Sequence, residues 1–330
     1  MPPRSNWGNE VVKARYDKVT VLAPARLHMG FIDLSGALGR HFGSIGVALE
    51  EINTHLTMTG AAVLDVSGSC SERAVRTTRQ LCQLLNVPDR LQITLHSAIP
   101  EHIGLGSGTQ MSLAIGAALN VFYGLNLSIR DIARLSERGA RSGIGIGVFE
   151  QGGLVVDGGR GPETSTPPLL SRITVPEHWR FILAFDRRGQ GLHGDQEVSA
   201  FKQLPPFPRR EAERLCYLLM MQALPALAES DLSQFGEVIT ALQASVGQHF
   251  APVQGGVFTS PEVASAMSWL GEQGAVAIGQ TSWGPTGFCA VDGEARADAL
   301  LVQLRERFTS EHTSFQVVRA RNQGAEVSFR

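Results

Sequence analysis

No stretch of this 330-residue chain approaches the roughly 20 apolar residues that a membrane-spanning helix needs. Neither charge is in surplus: 29 Lys and Arg stand against 31 Asp and Glu. With the two signs interspersed, that balance speaks against nucleic acid as a partner. Cysteine is scarce. Cys70, Cys82, Cys216 and Cys289 fall without metal-ligand spacing and read as reduced thiols of a cytoplasmic protein. Met1 to Asp17 lacks the apolar core of a signal peptide and is expected to be a flexible arm. Internal repeats and long low-complexity segments are missing too. What remains is a globular composition, 43% hydrophobic, in a chain long enough for two domains.

Hydrophobic periodicity orders the chain. Val19 to Leu27 reads as a strand, and Ile45 to Glu50 and Thr54 to Thr59 as two short ones around Glu50-Glu51. Residues 71 to 86 read as a helix, and Leu91, Ile93 and Leu95 as a half-buried strand. Met111, Ile115, Ala118 and Phe122 are spaced as in an amphipathic helix. Ser128 to Asp131 is a capping-box pattern. Ser142 to Asp157 is glycine-rich and then strand-like, and 161 to 168 is a Pro/Ser/Thr-rich loop.

The second half predicts a strand at Phe181 to Phe185, helices over 209–229, 233–249 and 294–308, and strands near 275–278, 287–291 and 314–318. Ser260-Pro261-Glu262 starts another helix. The result is an α+β chain with expected units 18–178 and 179–330.

Four segments carry polar groups in patterns that suggest chemistry. Residues 99 to 109 read Ile-Pro-Glu-His-Ile-Gly-Leu-Gly-Ser-Gly-Thr, with Gln110 next. Gly104, Gly106 and Gly108 remove three side chains where a strand stops and a helix begins, so the backbone can press against a ligand. Unpaired N–H groups and the macrodipole favour negative charge there. That makes an anion site, most simply for phosphate, unless the loop merely caps the helix. Glu101 is a candidate metal ligand or proton acceptor, or else a capping acid.

Upstream, Ala23-Pro-Ala-Arg-Leu-His-Met-Gly-Phe-Ile-Asp33 and Gly39-Arg40 thread Arg26, His28, Asp33 and Arg40 through apolar sequence. An arginine fork binds phosphate or carboxylate in two places. The plain alternative makes Arg26 a surface residue and His28 a core histidine. In Arg141-Ser-Gly-Ile-Gly-Ile-Gly147 the glycines imply close packing against a ligand or another segment.

His193 and Glu197 stand four residues apart and would share a helix face, although two such groups are no metal signature. In Gln280-Thr-Ser-Trp-Gly-Pro-Thr-Gly287, Trp283 is either a platform for an aromatic substrate or a core tryptophan.

Together these motifs resemble a known superfamily. Ile99-Pro-x-x-x-Gly-Leu-Gly-Ser-Gly108 is similar to the phosphate loop of the GHMP small-molecule kinases, and Ala23-Pro-Ala-Arg26 to their first motif. Gly284-Pro-Thr-Gly287 stands where their third motif falls. The kinase loop continues Gly-Leu-Gly-Ser-Ser-Ala, whereas here Gly108 replaces the second serine and Thr109-Gln110 the small residues.

The departures are similar to one branch, the β-ribofuranosylaminobenzene 5′-phosphate synthases. That likeness rests on Arg26-Leu-His-x-Gly-x-x-Asp33, Gly39-Arg-x-x-Gly43, Gly143-Ile-Gly145 with Phe149-x-x-Gly-Gly153, Gly191-Leu-His-Gly194 and Ser282-Trp-Gly-Pro-Thr286.

The resemblance implies a GHMP-kinase-like two-domain fold. Its N-terminal β/α domain would be like that of ribosomal protein S5, and its C-terminal domain a ferredoxin-like α/β sandwich. It implies condensation of 5-phosphoribosyl 1-pyrophosphate with 4-hydroxybenzoate or 4-aminobenzoate, releasing CO2 and pyrophosphate, in methanopterin biosynthesis. Mg2+ and a homodimer are implied with it. His28 or His193 becomes the candidate acid/base. Asp33, Glu101 and Glu197 become candidates for holding metal or stabilising an oxocarbenium-like sugar. Arg26, Arg40, Glu101, Gly104, Gly106, Ser107, Gly108, Thr109, Gln110, Ser282, Trp283 and Thr286 become the candidate substrate-binding set. The alternatives are an ATP-dependent kinase and a non-catalytic binding protein of the same fold.

Overall fold

The computed structural model describes residues 13–189, 195–308 and 310–330. Two long strands, β1 (Lys18–Asp33) and β2 (Phe42–Gly60), form an antiparallel pair at its centre. There follow β3 (Asp65–Gly68), α1 (Ser71–Leu85), β4 (Leu91–Ser97), α2 (Ser107–Tyr123), α3 (Ile129–Leu135), α4 (Ile144–Gln151), β5 (Leu154–Asp157) and β6 (Leu169–Ile173).

The second half holds β7 (Trp179–Asp186), α5 (Asp195–Gln203) and α6 (Arg209–Leu218), which runs through a π-helical turn (Leu219–Ala223) into α7 (Leu224–Ala228). Then come α8 (Leu232–Gln254), α9 (Pro261–Glu272), β8 (Val276–Gln280), β9 (Gly287–Asp292), α10 (Glu294–Arg307), β10 (Thr313–Val318) and β11 (Glu326–Phe329).

One sheet runs β11-β1-β2-β4-β3, with β5 on β2 and β6 on β5; the other runs β10-β7-β9-β8. The chain's last strand therefore returns to the first sheet, pairing Val19 with Phe329. One core joins the two sheets: Leu27, Met29 and Phe31 of β1 pack with Trp179 and Phe181 of β7 and with Phe235, Ile239 and Leu242 of α8. Gly30, at φ +137°, lets α8 approach; a Cβ there would overlap Leu242 Cδ2.

Three expectations change. The two short strands around Glu50-Glu51 are one strand, β2, whose register slips at Pro24/Ala25. The acidic pair survives inside it because Arg321 holds Glu50 at 2.6 Å and Arg319 holds Glu51 at 2.8 Å. Helix α2 is not amphipathic: Gln110 to Leu119 are all buried, as suits a helix apolar on every side. Ser142 to Asp157 contains a helix, α4, before its strand. The glycines that weaken it are those that let it pack closely, Gly145 against Thr109 and Gly147 against Leu169.

Candidate active site

The glycine loop joins β4 to α2 and is pinned from two sides. Gly104 (φ +79°) and Gly106 (φ +83°) both hold left-handed conformations that side chains resist. A Cβ on Gly104 would stand 3.0 Å from the Gly284 carbonyl oxygen, and one on Gly106 2.9 Å from Arg26 Cγ. The loop carbonyls are tied back. Arg26 Nη1 donates to the Gly104 carbonyl at 2.5 Å, as does Thr281 Oγ1 at 2.9 Å, and Thr286 Oγ1 donates to that of Ile103 at 2.7 Å. Helix bonding starts at Gln110, whose N–H reaches the Gly106 carbonyl. The N–H groups of Ser107, Gly108 and Thr109 have no partner within the helix, and no side chain caps it. The result is a positive helix end above a braced loop.

Two arginines absent from the sequence reading converge there. Arg73, from α1, pairs through Nε with Glu101 at 2.5 Å and donates through Nη1 to Ser107 Oγ at 3.2 Å. Arg138, just past α3, donates to Ser112 Oγ at 3.2 Å. Burial pulls its guanidinium below the usual arginine range, and the neighbouring charge of Arg73 adds to this. No local motif marks either residue; the one signal was the missing side chain at Gly108, which both approach.

Two residues along β1 from Arg26 lies His28, on the same side of the strand by alternation. It is 1% exposed, and neither ring nitrogen has a hydrogen-bond partner. Burial, then the Arg26 charge, hold it well below the usual histidine range, so the ring is neutral near pH 7. Its backbone N–H donates to Thr281 Oγ1, the hydroxyl that braces Gly104. Beside the ring is a space of about 10 Å³, lined among others by Gln243, Gln254, Gln280 and Ser282. That suits about one water.

Trp283 is not an open platform. It is buried, stacked on Phe250 at 4.0 Å and met edge-on by Phe201 of α5 at 5.2 Å. The apolar core between the sheets has claimed both ring contacts.

Residues 72–153 match the model of the GHMP kinases N terminal domain, and residues 223–310 that of the GHMP kinases C terminal. A β-ribofuranosylphenol 5′-phosphate synthase of Archaeoglobus fulgidus is 33% identical over 319 residues, covering 92% of this chain and 97% of that protein. The chain belongs to the β-ribofuranosylphenol 5′-phosphate synthase family. A synthase of the same name from Methanocaldococcus jannaschii is 35% identical over 253 residues, covering 68% and 76% of the two chains. A homoserine kinase from Cytophaga hutchinsonii superposes with a TM-score of 0.67 at 15% identity, over 97% of this chain and 100% of that one. Mevalonate diphosphate decarboxylase from Staphylococcus aureus superposes at 0.65 and 17%, over 94% and 98%. The GHMP-kinase-like fold expected from the motifs is thus the fold of this member of the synthase family.

Two synthase-like motif residues, Asp33 and Arg40, sit away from the loop. Asp33 ends β1, seven residues or about 23 Å along the strand from Arg26. Its carboxylate accepts from Ser35 N at 2.7 Å, Ser35 Oγ at 2.6 Å and Gly36 N at 3.3 Å, which is a turn-holding role. Arg40 donates to the Gly158 and Gly159 carbonyls, both at 2.9 Å. Gln110 ties α2 to α4 through the Gly145 carbonyl at 2.8 Å.

His193 lies outside the described residues. Glu197 falls on α5, but its side chain does not belong to the described part. Among the described residues no resident Mg2+ site assembles: Glu101 pairs with Arg73, and no group of three or more His, Cys, Asp or Glu comes together. No described helix is long and apolar enough to cross a membrane.

Proposed function

We propose that this chain joins 5-phosphoribosyl 1-pyrophosphate to 4-hydroxybenzoate with loss of CO2 and pyrophosphate, giving β-ribofuranosylphenol 5′-phosphate in methanopterin biosynthesis. The phenol named for its relatives favours the hydroxy over the amino acceptor. The observation that carries the reading is His28: a buried, neutral imidazole without hydrogen-bond partners, on the strand that braces the anion loop.

The donor's charged groups need fixed positive dipoles, which the α2 N-terminus and Arg26 provide. As the bond from the sugar C1 to pyrophosphate breaks, the leaving group's negative charge grows against that helix end. The ring carbon carrying the carboxylate attacks C1. His28 takes the para-hydroxyl proton and so pushes electron density to that carbon. The bond to the carboxylate then breaks, CO2 leaves, and the ring becomes aromatic again. The proton returns from His28 to the phenolate oxygen. Any Mg2+ would sit on donor phosphate oxygens and not in a protein cage.

The space beside His28 is far below the roughly 150 Å³ that suits a benzene ring. The aromatic acid enters by displacing Phe201, which is half-buried on α5 and touches Phe31 and Trp283. The test is incubation with the phosphoribosyl donor, Mg2+ and 4-hydroxybenzoate, reading pyrophosphate and CO2. Equal release of both is expected; release of neither, with either aromatic acid, would end the proposal. ADP formed from ATP and a small alcohol would make the chain a kinase.

A further inference from the structure

We propose that Arg73 and Arg138 close over the gap left by Gly108 to grip the pyrophosphate of the donor, with Glu101 as the residue that positions Arg73. This rests on the phosphoribosyl reading above and assigns a part of that site to one end of the donor.

Gly108 is not demanded by the backbone. It lies in the first turn of α2 and its φ is outside the positive range. Packing does not demand it either. A Cβ there would lie 3.5 Å from Arg138 Nη1 and 3.7 Å from Arg73 Nη1, which are ordinary contacts. What the missing side chain does is keep a gap between two guanidinium groups directly over the helix end.

Three sources of positive potential therefore meet at one place: Arg73, Arg138 and the α2 N-terminus. Glu101 pairs with Arg73; the acidic influence on Arg138 is its chain neighbour Glu137. Arg138 is partly desolvated and repelled by Arg73, so the pair is held together against its own electrostatics. An anion bearing several charges relieves that repulsion, and a guanidinium fork matches phosphoryl oxygens two at a time. Two forks facing one gap suit two linked phosphoryl groups. The single 5′-phosphate carries less charge and has less call on this spot.

Glu101 would act on the donor through Arg73, whose Nε it pairs with at 2.5 Å. It fixes the guanidinium from the side opposite Ser107. Its role is to set the angle of that fork.

The test is calorimetric titration of the full chain with inorganic pyrophosphate and, separately, ribose 5-phosphate. Arg73→Met and Arg138→Met should each weaken pyrophosphate by about tenfold or more, the loss of a charge-assisted hydrogen bond. Ribose 5-phosphate should weaken by less than about fivefold, the most that a lost long-range charge alone gives. Gly108→Ala, which adds one methyl and keeps both charges, should also weaken pyrophosphate, and its fold is checked by circular dichroism. Glu101→Gln should raise the donor KM and lower kcat together, as a misaimed grip on the leaving group implies, while leaving the aromatic acid's KM unchanged. Pyrophosphate binding that survives both arginine variants, or a loss that falls on ribose 5-phosphate instead, overturns the assignment. A wild-type chain that binds pyrophosphate through these arginines but releases no CO2 upholds it and refutes the synthase reading. CO2 release that persists with pyrophosphate binding untouched in the variants does the reverse.

Discussion

Two glycines two residues apart should respond to the same substitution with opposite sign. At Gly106 an alanine is forced into φ +83° and its Cβ meets Arg26 Cγ at 2.9 Å. Left-handed strain alone costs about 1–2 kcal/mol, and moving Arg26 adds to it. We expect Gly106→Ala to cost about 2 kcal/mol, lowering Tm by about 3 °C for a chain of this size. At Gly108 the backbone is helical and the nearest atom is 3.5 Å away. Alanine there gains about 0.5 kcal/mol from helix propensity, raising Tm by about 1 °C. Thermal unfolding and the donor KM, measured on both variants, settle the matter. Gly108→Ala should be at least as stable as the wild type yet bind the donor about tenfold more weakly, as one crowded phosphate contact implies. If it is destabilised like Gly106→Ala, the glycine is a backbone requirement and the gap has no role. If the donor KM is unchanged, the gap is not where the donor sits.

Other outcomes follow from the same geometry. His28→Asn should lower kcat by about 10²–10⁴, the usual share of a general base, with the donor KM little changed; full turnover in a folded variant would remove His28 from the chemistry. Because the folded chain holds His28 well below its ordinary 6.5, the unfolded chain binds the extra proton first as pH falls. The stability gap between wild type and His28→Asn should be constant above pH 6.5 and shift against the wild type below it, as followed by urea midpoints. Asp186 is held down to about 2, mainly by Arg188 with help from Ser260, so its contribution is present above the ordinary 3.8 and lost as pH falls toward 2. Asp186→Asn should flatten that acid limb. Arg321→Met should cost about 1–2 kcal/mol, because Glu50 keeps partial contact with solvent, and a second change of Glu50→Leu should recover part of it in denaturant melts.

The elements legible in the sequence were those whose signals are local. Ser128 does cap α3, its hydroxyl accepting from Asp131 N, and Ser260 caps α9 by accepting from Val263 N. Phe235, Ile239, Leu242 and Val246 do form the buried face of α8. The glycine loop was legible because a strand, three glycines and an apolar run are contiguous.

The rest depended on distant pairings. Glycine at alternate positions hid α4, since its stability comes from contacts with Thr109 and Leu169 rather than from propensity. Arg73 and Arg138 lie on either side of α2 in sequence, and only the packing of α1 and α3 around that helix brings them together. Trp283 stayed open between platform and core because a Trp among glycines and hydroxyls carries no local mark of the Phe250 ring that covers it.

The pairing of β11 with β1 also bears on how the chain is made. Val19 to Leu22 leave the ribosome early, but their outer neighbour is more than 300 residues later, at Glu326 to Phe329. Until that partner is made, this first quarter of β1 is an open sheet edge, with backbone donors and acceptors facing outward. Closing it is among the longest loop closures in the molecule, so it comes late and slowly. Until then the nascent chain's exposure to misassembly is greatest at the strand that later carries Arg26 and His28, and shortening the C-terminus by five residues would make that exposure permanent.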